Sequence, residues 1–263
     1  MQATEQELKW AAAIKEAALA DPDIDTAVLS DLEYLQHAMV AKDCVDKALR
    51  RMKRLADFKE RFGIKRDGSW EEGWRDLKSF QAAHPGVLLA VETLPDDSSV
   101  TACSTGKFYT RNVRSPESLA IAMRGFFYVL QACHSTIPAM RAGMVSVLDN
   151  QGAGWKNLNV RVEHNVASLF AMVYPARVNQ VVMINCSRTL RVVYKFIKLF
   201  LPSKMTQRHE FHADLNSFLD TTTQIDKKVL PTEWKGLVSE SDLEESFRHK
   251  LQARYELEAT FVL

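Results

Sequence analysis

The sequence predicts an α/β protein: an N-terminal helical subdomain, then a mixed, mostly parallel sheet flanked by helices. Three observations predict it. The first sixty-odd residues carry only helical apolar spacing, with capping signals and a stop at Asp21-Pro22. Short apolar runs bounded by turn residues then alternate with helical segments, which is the pattern of crossover-connected strands. Finally, one helical segment near residue 190 is apolar around most of its circumference and needs a cover. The expected boundaries are 1–75 for the helical subdomain, 76–240 for the sheet domain and 241–263 for a C-terminal helix or tail.

Each element has its own signal. Thr4 with Glu7 fits a capping box and opens a helix that runs to Ala20. A second helix is expected over Thr26 to Met39. A third runs from Asp43 to just before Gly63, with Val45, Ala48, Leu49, Met52, Leu55 and Phe62 on one face. Arg50, Arg51, Lys53 and Arg54 sit largely away from that face and read as a solvated surface before they read as an anion patch. A fourth helix ends at His84-Pro85-Gly86. Val87 to Val91 is a strand, Leu94 to Ser98 a hairpin turn, and Val100 to Cys103 the return strand. Ser115-Pro116-Glu117 starts a buried helix with proline at its first position. Gly143 to Leu148 is a buried strand, a helix from Asn159 ends at Tyr174-Pro175, Val178 to Ile184 is another strand, and Arg208 to His212 is an edge strand.

Composition excludes several function classes. In 263 residues, 46% are hydrophobic and 25% charged, and the net charge of +1 leaves no bulk attraction for a polyanion. Cys44, Cys103, Cys133 and Cys186 form no CxxC pair, so free buried thiols in a reducing compartment are expected rather than a zinc or redox site. The first ten residues lack a signal-peptide core, and no run reaches the roughly 20 apolar residues of a membrane span. A cytoplasmic protein with at most peripheral membrane contact is expected.

The helix after Ile184 carries the functional signal. Arg191, Lys195 and Lys198 form its only charged stripe, at i, i+4 and i+7. Leu190, Val193, Tyr194, Ile197 and Phe200 line a second face, and Val192, Phe196 and Leu199 fill the arc between. Leaving five large side chains in water would forfeit on the order of 10 kcal/mol, which rivals the stability of a domain. Periodicity allows three covers: more protein, an apolar ligand, or a bilayer. More protein is the default.

Residue order adds to this. The run from Tyr174-Pro175 through Ile184-Asn185 to Phe200-Leu201 resembles the signature region of the CRAL-TRIO lipid-binding family. Val45-Asp46-Lys47-Ala48-Leu49 resembles part of its N-terminal helical module. Gly143 to Asp149 with Gly152, and Leu230-Pro-Thr-Glu-Trp-Lys-Gly236, resemble its Asp-ended strand and its closing motif. The likeness implies a sheet forming the floor of an apolar cavity and a mobile gate helix above it. Leu190, Val193, Tyr194, Ile197 and Phe200 would then face the ligand, with Val181 from the floor and Arg188 at the gate's start. Val192, Phe196 and Leu199 would meet a membrane when the gate swings, or pack as plain core.

In the tocopherol-transfer branch of the family, a basic cluster beside the gate holds phosphoinositide phosphates. Arg177, Lys204 and Arg208 match three of its members by position and Asn179 replaces the fourth, while ordinary solubilising charge is an equal reading. Ala176 stands where the phosphatidylinositol-exchange branch has an acidic residue, Pro202 follows the expected gate proline by three places, and Lys235 replaces a glycine. The resemblance implies a non-enzymatic carrier of a lipid or lipophilic small molecule, with no cofactor and no nucleic-acid partner. The alternative it leaves is an adaptor with a collapsed cavity. His209-Glu-Phe-His212 lacks zincin spacing, Gln151-Gly-Ala-Gly154 lacks the third glycine of a dinucleotide turn, and no nucleophile elbow occurs, so a metal site or a catalytic centre is not expected.

Overall fold

The computed structural model describes residues 2–65, 68–200, 203–221 and 225–263. Its order is α1 (Glu5–Ala20), α2 (Asp31–Ala41), α3 (Val45–Phe62), α4 (Trp70–Ala83), β1 (Leu88–Thr93), β2 (Ser99–Ser104), α5 (Pro116–Cys133), α6 (Ile137–Ala142), β3 (Met144–Asp149), α7 (Val160–Ser168), β4 (Val178–Ile184), α8 (Arg188–Ile197), α9 (Ser203–Thr206), β5 (His209–Phe211), α10 (Leu215–Thr221) and α11 (Glu240–Thr260). The capping boxes at Thr4–Glu7 and Ser115–Ser118 form as their spacing predicts. The second helix differs from expectation. A short 3-10 turn covers Thr26–Val28, and α2 begins only after Ser30, whose hydroxyl and Glu33 form their own capping box.

Five strands form one sheet in the order β1-β2-β3-β4-β5. Only the β1–β2 hairpin is antiparallel, and β2, β3, β4 and β5 run parallel. Parallel neighbours cannot be joined by tight turns, so helices make the crossovers. The register aligns Thr101, Ser146, Val181 and His209 in one row, and Cys103, Leu148, Met183 and Phe211 in the next along the same face. Val100, Ala102, Val145, Val147, Val182 and Ile184 alternate with them, point to the opposite face and are buried.

The helical subdomain is tied to the sheet domain by several polar contacts, one of them at an unusual place. The chain after α7 continues from Leu169 to Val173 as a π turn. Pro175 has no N–H, so the Ala171 carbonyl would lack its usual helical donor. The Arg51 guanidinium of α3 supplies it at 3.1 Å. Of the cluster Arg50, Arg51, Lys53 and Arg54, Arg51 thus has a structural partner in the sheet domain.

α11 packs along β1, α4 and α5 and reaches α2. Arg254 at its centre is completely buried. Its guanidinium donates to Gln36 Oε1 at 3.0 Å and to the His134 carbonyl at 3.1 Å, while Gln36 donates to the Pro175 carbonyl at 3.4 Å. Residues from α2, the end of α5, the Tyr174-Pro175 corner and α11 thus share one buried polar knot.

Candidate functional site: an apolar cavity over the parallel strands

The two aligned rows of the sheet are the floor of a cavity of about 220 Å³. Thr101, Cys103, Ser146, Leu148, Val181, Met183 and His209 all line it, which is the consequence of a period-two strand presenting alternate residues to one side. Phe126 and Val129 from α5 wall it on one side. Glu163, Val166 and Ala167 from α7, with Phe170 from the π turn, wall it on another. Leu190 and Tyr194 of α8 complete the enclosure. A single water needs about 10–15 Å³ of such space, so the cavity has the volume of many waters.

The structure fixes the root of α8 firmly. Ser187 caps it, its hydroxyl accepting from the Leu190 N–H at 3.1 Å. Asn185 adopts the left-handed conformation at φ 56° and donates from its amide to Asp149 Oδ1 at 2.8 Å. That same oxygen accepts the Gln151 N–H at 2.9 Å, and the Asn150 amide donates to the Ile184 carbonyl at 3.0 Å. An asparagine tolerates this backbone better than most side chains because it is short and polar. The Asp that ends one strand and the Asn that ends the next are therefore two halves of one joint.

The sequence-derived ligand face divides as follows. Leu190, Tyr194 and Val181 are buried and line the cavity. The side chains of Val193, Ile197 and Phe200, and of Phe196 on the outer arc, lie outside the described residues. Arg188 is exposed and does not line the cavity. Its place on the outer side of the first helical turn directs it to solvent rather than to a guest. Val192 and Leu199 are exposed, at 46% and 76%. The Tyr194 ring is held between His209 and Phe211, with centroids at 5.1 and 5.0 Å, and the Lys198 ammonium lies 5.8 Å from its centre.

Of the basic trio, Arg177 and Arg208 converge on the start of β4. Arg177 donates to the Arg141 carbonyl at 2.8 Å, and Arg208 donates to the Val178 carbonyl. Both are exposed, as is Lys204 on α9, which has no partner among the described residues. Asn179, at the position of the missing cation, donates to the Ala142 carbonyl at 2.7 Å.

Most polar groups in the cavity are already engaged. Thr101 donates to Ser146 at 3.2 Å, and Thr105 to Asn150 Oδ1 at 2.7 Å. The Asn157 amide serves the carbonyls of Thr105, Gly106 and Phe108 at 3.0–3.2 Å. His209 Nδ1 pairs with the Met205 carbonyl at 2.9 Å. Burial pushes the Cys103 thiol up to about 12, so it is a small apolar surface and not a nucleophile. Two groups remain without partners among the described residues: the Glu163 carboxyl, whose pKa only burial shifts, and the buried Tyr194 hydroxyl. Sequence reading passed over Glu163 because an acid at an exposed-looking helix position gives no signal of its own. Only the neighbouring apolar positions Val162, Val166 and Ala167 hinted that its helix was enclosed.

Residues 95–236, more than half of the chain, match the CRAL/TRIO domain, and the chain belongs to that family. The family generally binds lipophilic small molecules. Among curated proteins, the chain is 24% identical over 151 residues to tyrosine-protein phosphatase non-receptor type 9 of human and of mouse. That match covers 51% of this chain and 25% of each relative, so the chain matches about a quarter of those proteins' length. Among solved structures, the crystal structure of Sfh5 superposes with a TM-score of 0.59 over 97% of this chain and 99% of that one. Sequence identity there is 13%, so the likeness shows the fold alone. No described helix is long and apolar enough to cross a membrane. No group of His, Cys, Asp or Glu among the described residues could hold a metal ion.

Proposed function

We propose that the protein is a cytoplasmic, non-enzymatic carrier that takes a lipid or lipophilic small molecule into the cavity beneath α8 and exchanges it at a membrane surface. The observation that carries this reading is the enclosed apolar space itself: two rows of sheet residues and three helices surround a void where a packed core would leave almost none. Burying a guest's apolar surface there contributes about 25 cal/mol per Å² removed from water, which supplies affinity without any specific polar contact. α8 serves as the gate. Its inner residues Leu190 and Tyr194 cover the cargo when closed, and the exposed Val192 and Leu199 offer apolar contact to a bilayer when it opens. Lys204, with Arg177 and Arg208, would meet anionic head groups at that surface, phosphoinositides included, each cation adding about 1 kcal/mol.

Native mass spectrometry with organic extraction tests the carrier reading. Co-purifying lipid, or uptake from vesicles, is the expected result. A clean unliganded mass that stays clean after incubation with vesicles would sink the reading in favour of an adaptor. Leu190→Asp places a charge against the cavity roof, so it should abolish uptake while the circular dichroism of the fold persists. Lys204→Ala should weaken binding to phosphoinositide vesicles severalfold without altering uptake.

A further inference from the structure

The cavity contains a feature that a simple grease-filled container does not need. Glu163 lies one helical turn before Ala167 on α7, among Val162, Val166 and Phe170. Its carboxyl has no hydrogen bond and no ion pair among the described residues. It keeps some accessible surface, and it lines the cavity. Protein surrounds the group closely enough that burial alone pushes its pKa up to about 7. A buried acid with no partner is costly, and such groups survive where something else satisfies them. Among the described residues, Tyr194 is another unpartnered polar side chain in the same cavity, and its hydroxyl can donate as well as accept.

We infer that Glu163 is the polar anchor for the cargo, selecting amphiphiles whose polar end donates a hydrogen bond, an alcohol or an amine, and rejecting those that end in a carboxylate or phosphate. The argument rests on the carrier reading above. Above its raised pKa the ionised Glu163 carboxylate has acceptor atoms only, so it pairs with a hydroxyl or an ammonium and repels a second anion in a poorly screened site. The rest of the cavity reinforces the choice, because the hydroxyls of Thr101, Thr105 and Thr110 are consumed by neighbouring protein oxygens. No described cation lines the cavity to hold an anionic end. The basic residues stand outside, where they can meet a membrane's head groups without contradicting a cargo that is neutral or cationic inside.

Displacement of the neutral dye Nile red from the full chain at about pH 8.5, where Glu163 is ionised and the amine still charged, tests this with a chain-matched series: octadecanol, octadecylamine and octadecanoate. The wild-type protein should bind the dye and release it to the alcohol or the amine at concentrations at least about tenfold lower than to the acid, since a hydrogen bond to a charged group is worth that much or more. In Glu163→Leu the preference should vanish, with the acid gaining about tenfold. Glu163→Gln, nearly isosteric, guards against misfolding and separates the two donors. It should keep the alcohol's advantage and lose the amine's if an ion pair is what holds the amine. Preference for octadecanoate in the wild type, or an unchanged ranking in both variants, overturns the assignment while leaving the carrier reading intact. If Nile red and all lipids fail to bind, the carrier reading fails and the anchor falls with it.

Discussion

Single residues in this protein repay attention where their environments oppose their chemistry. His37 and His134 are completely buried, and burial holds them near pKa 3 and 4, far below the usual 6.5. Both are therefore neutral in the folded state at neutral pH. The sign follows from proton counting: below about pH 6.5 the unfolded chain binds protons that the folded chain refuses, so acid favours unfolding. Each histidine should lower stability by about 1.4 kcal/mol per pH unit as pH falls from 6.5 towards the folded values. Urea titrations between pH 7 and 5 measure it. His37→Leu, which replaces a ring whose nitrogens both lack a partner among the described residues, should make that dependence shallower. An unchanged slope would show that the site protonates in the native state.

At the scale of elements, the strands and most helices were legible because their patterns are local. Short apolar runs and proline or glycine punctuation located β1 to β4 within a residue or two. Failures have physical causes. The early start expected for α2 at Thr26 took in a separate 3-10 turn over Thr26–Val28, and the helix proper begins where Ser30 and Glu33 form a reciprocal capping pair. The π turn was invisible because periodicity barely distinguishes it from an α-helix over five residues. The short α6 and α10 carry too few turns to show a face. The face of α8 was readable from spacing, but what lies beneath it was not, since a cavity is a property of distant walls meeting. Lys235 illustrates a departure that the structure does explain. It ends a 3-10 turn in the left-handed conformation, at φ 59° and ψ 22°, where a glycine is unstrained. Lys235→Gly should raise stability by about 1 kcal/mol, visible as a higher thermal midpoint. A lowered midpoint would mean that the Lys235–Asn216 contact at 3.0 Å outweighs the relief.

Across the whole molecule, the decisive organisation is polar rather than apolar. The C-terminal helix could be anticipated as an element but not as a clasp, because Arg254, one of two arginines in a highly charged helix, looks like any solvated arginine. In the fold it is buried and serves α2 and the end of α5 at once. Near it, Lys59 and Glu33 form a second buried pair at 2.6 Å that joins α3 to α2. Arg254→Ala should cost about 3–5 kcal/mol, because it strands Gln36 and the His134 carbonyl as well as opening a void. Arg254→Met, which fills the volume without the charge, should recover part of that. Chemical denaturation of both variants distinguishes the polar role from simple packing, and equal losses would assign the effect to hydrogen bonding alone.

The Asp149–Asn185 joint has a mechanical corollary. A ten-residue helix is about 15 Å long, so a rod held at its first turn converts a tilt of roughly 20° into a sweep of about 5 Å at its far tip and almost none at its base. Any doorway made by such a rod widens towards Lys198 and Leu199. A guest would leave from that side, past Tyr194 and its aromatic neighbours on the outermost strand, while the hinge pin stays in register with the strand that precedes it.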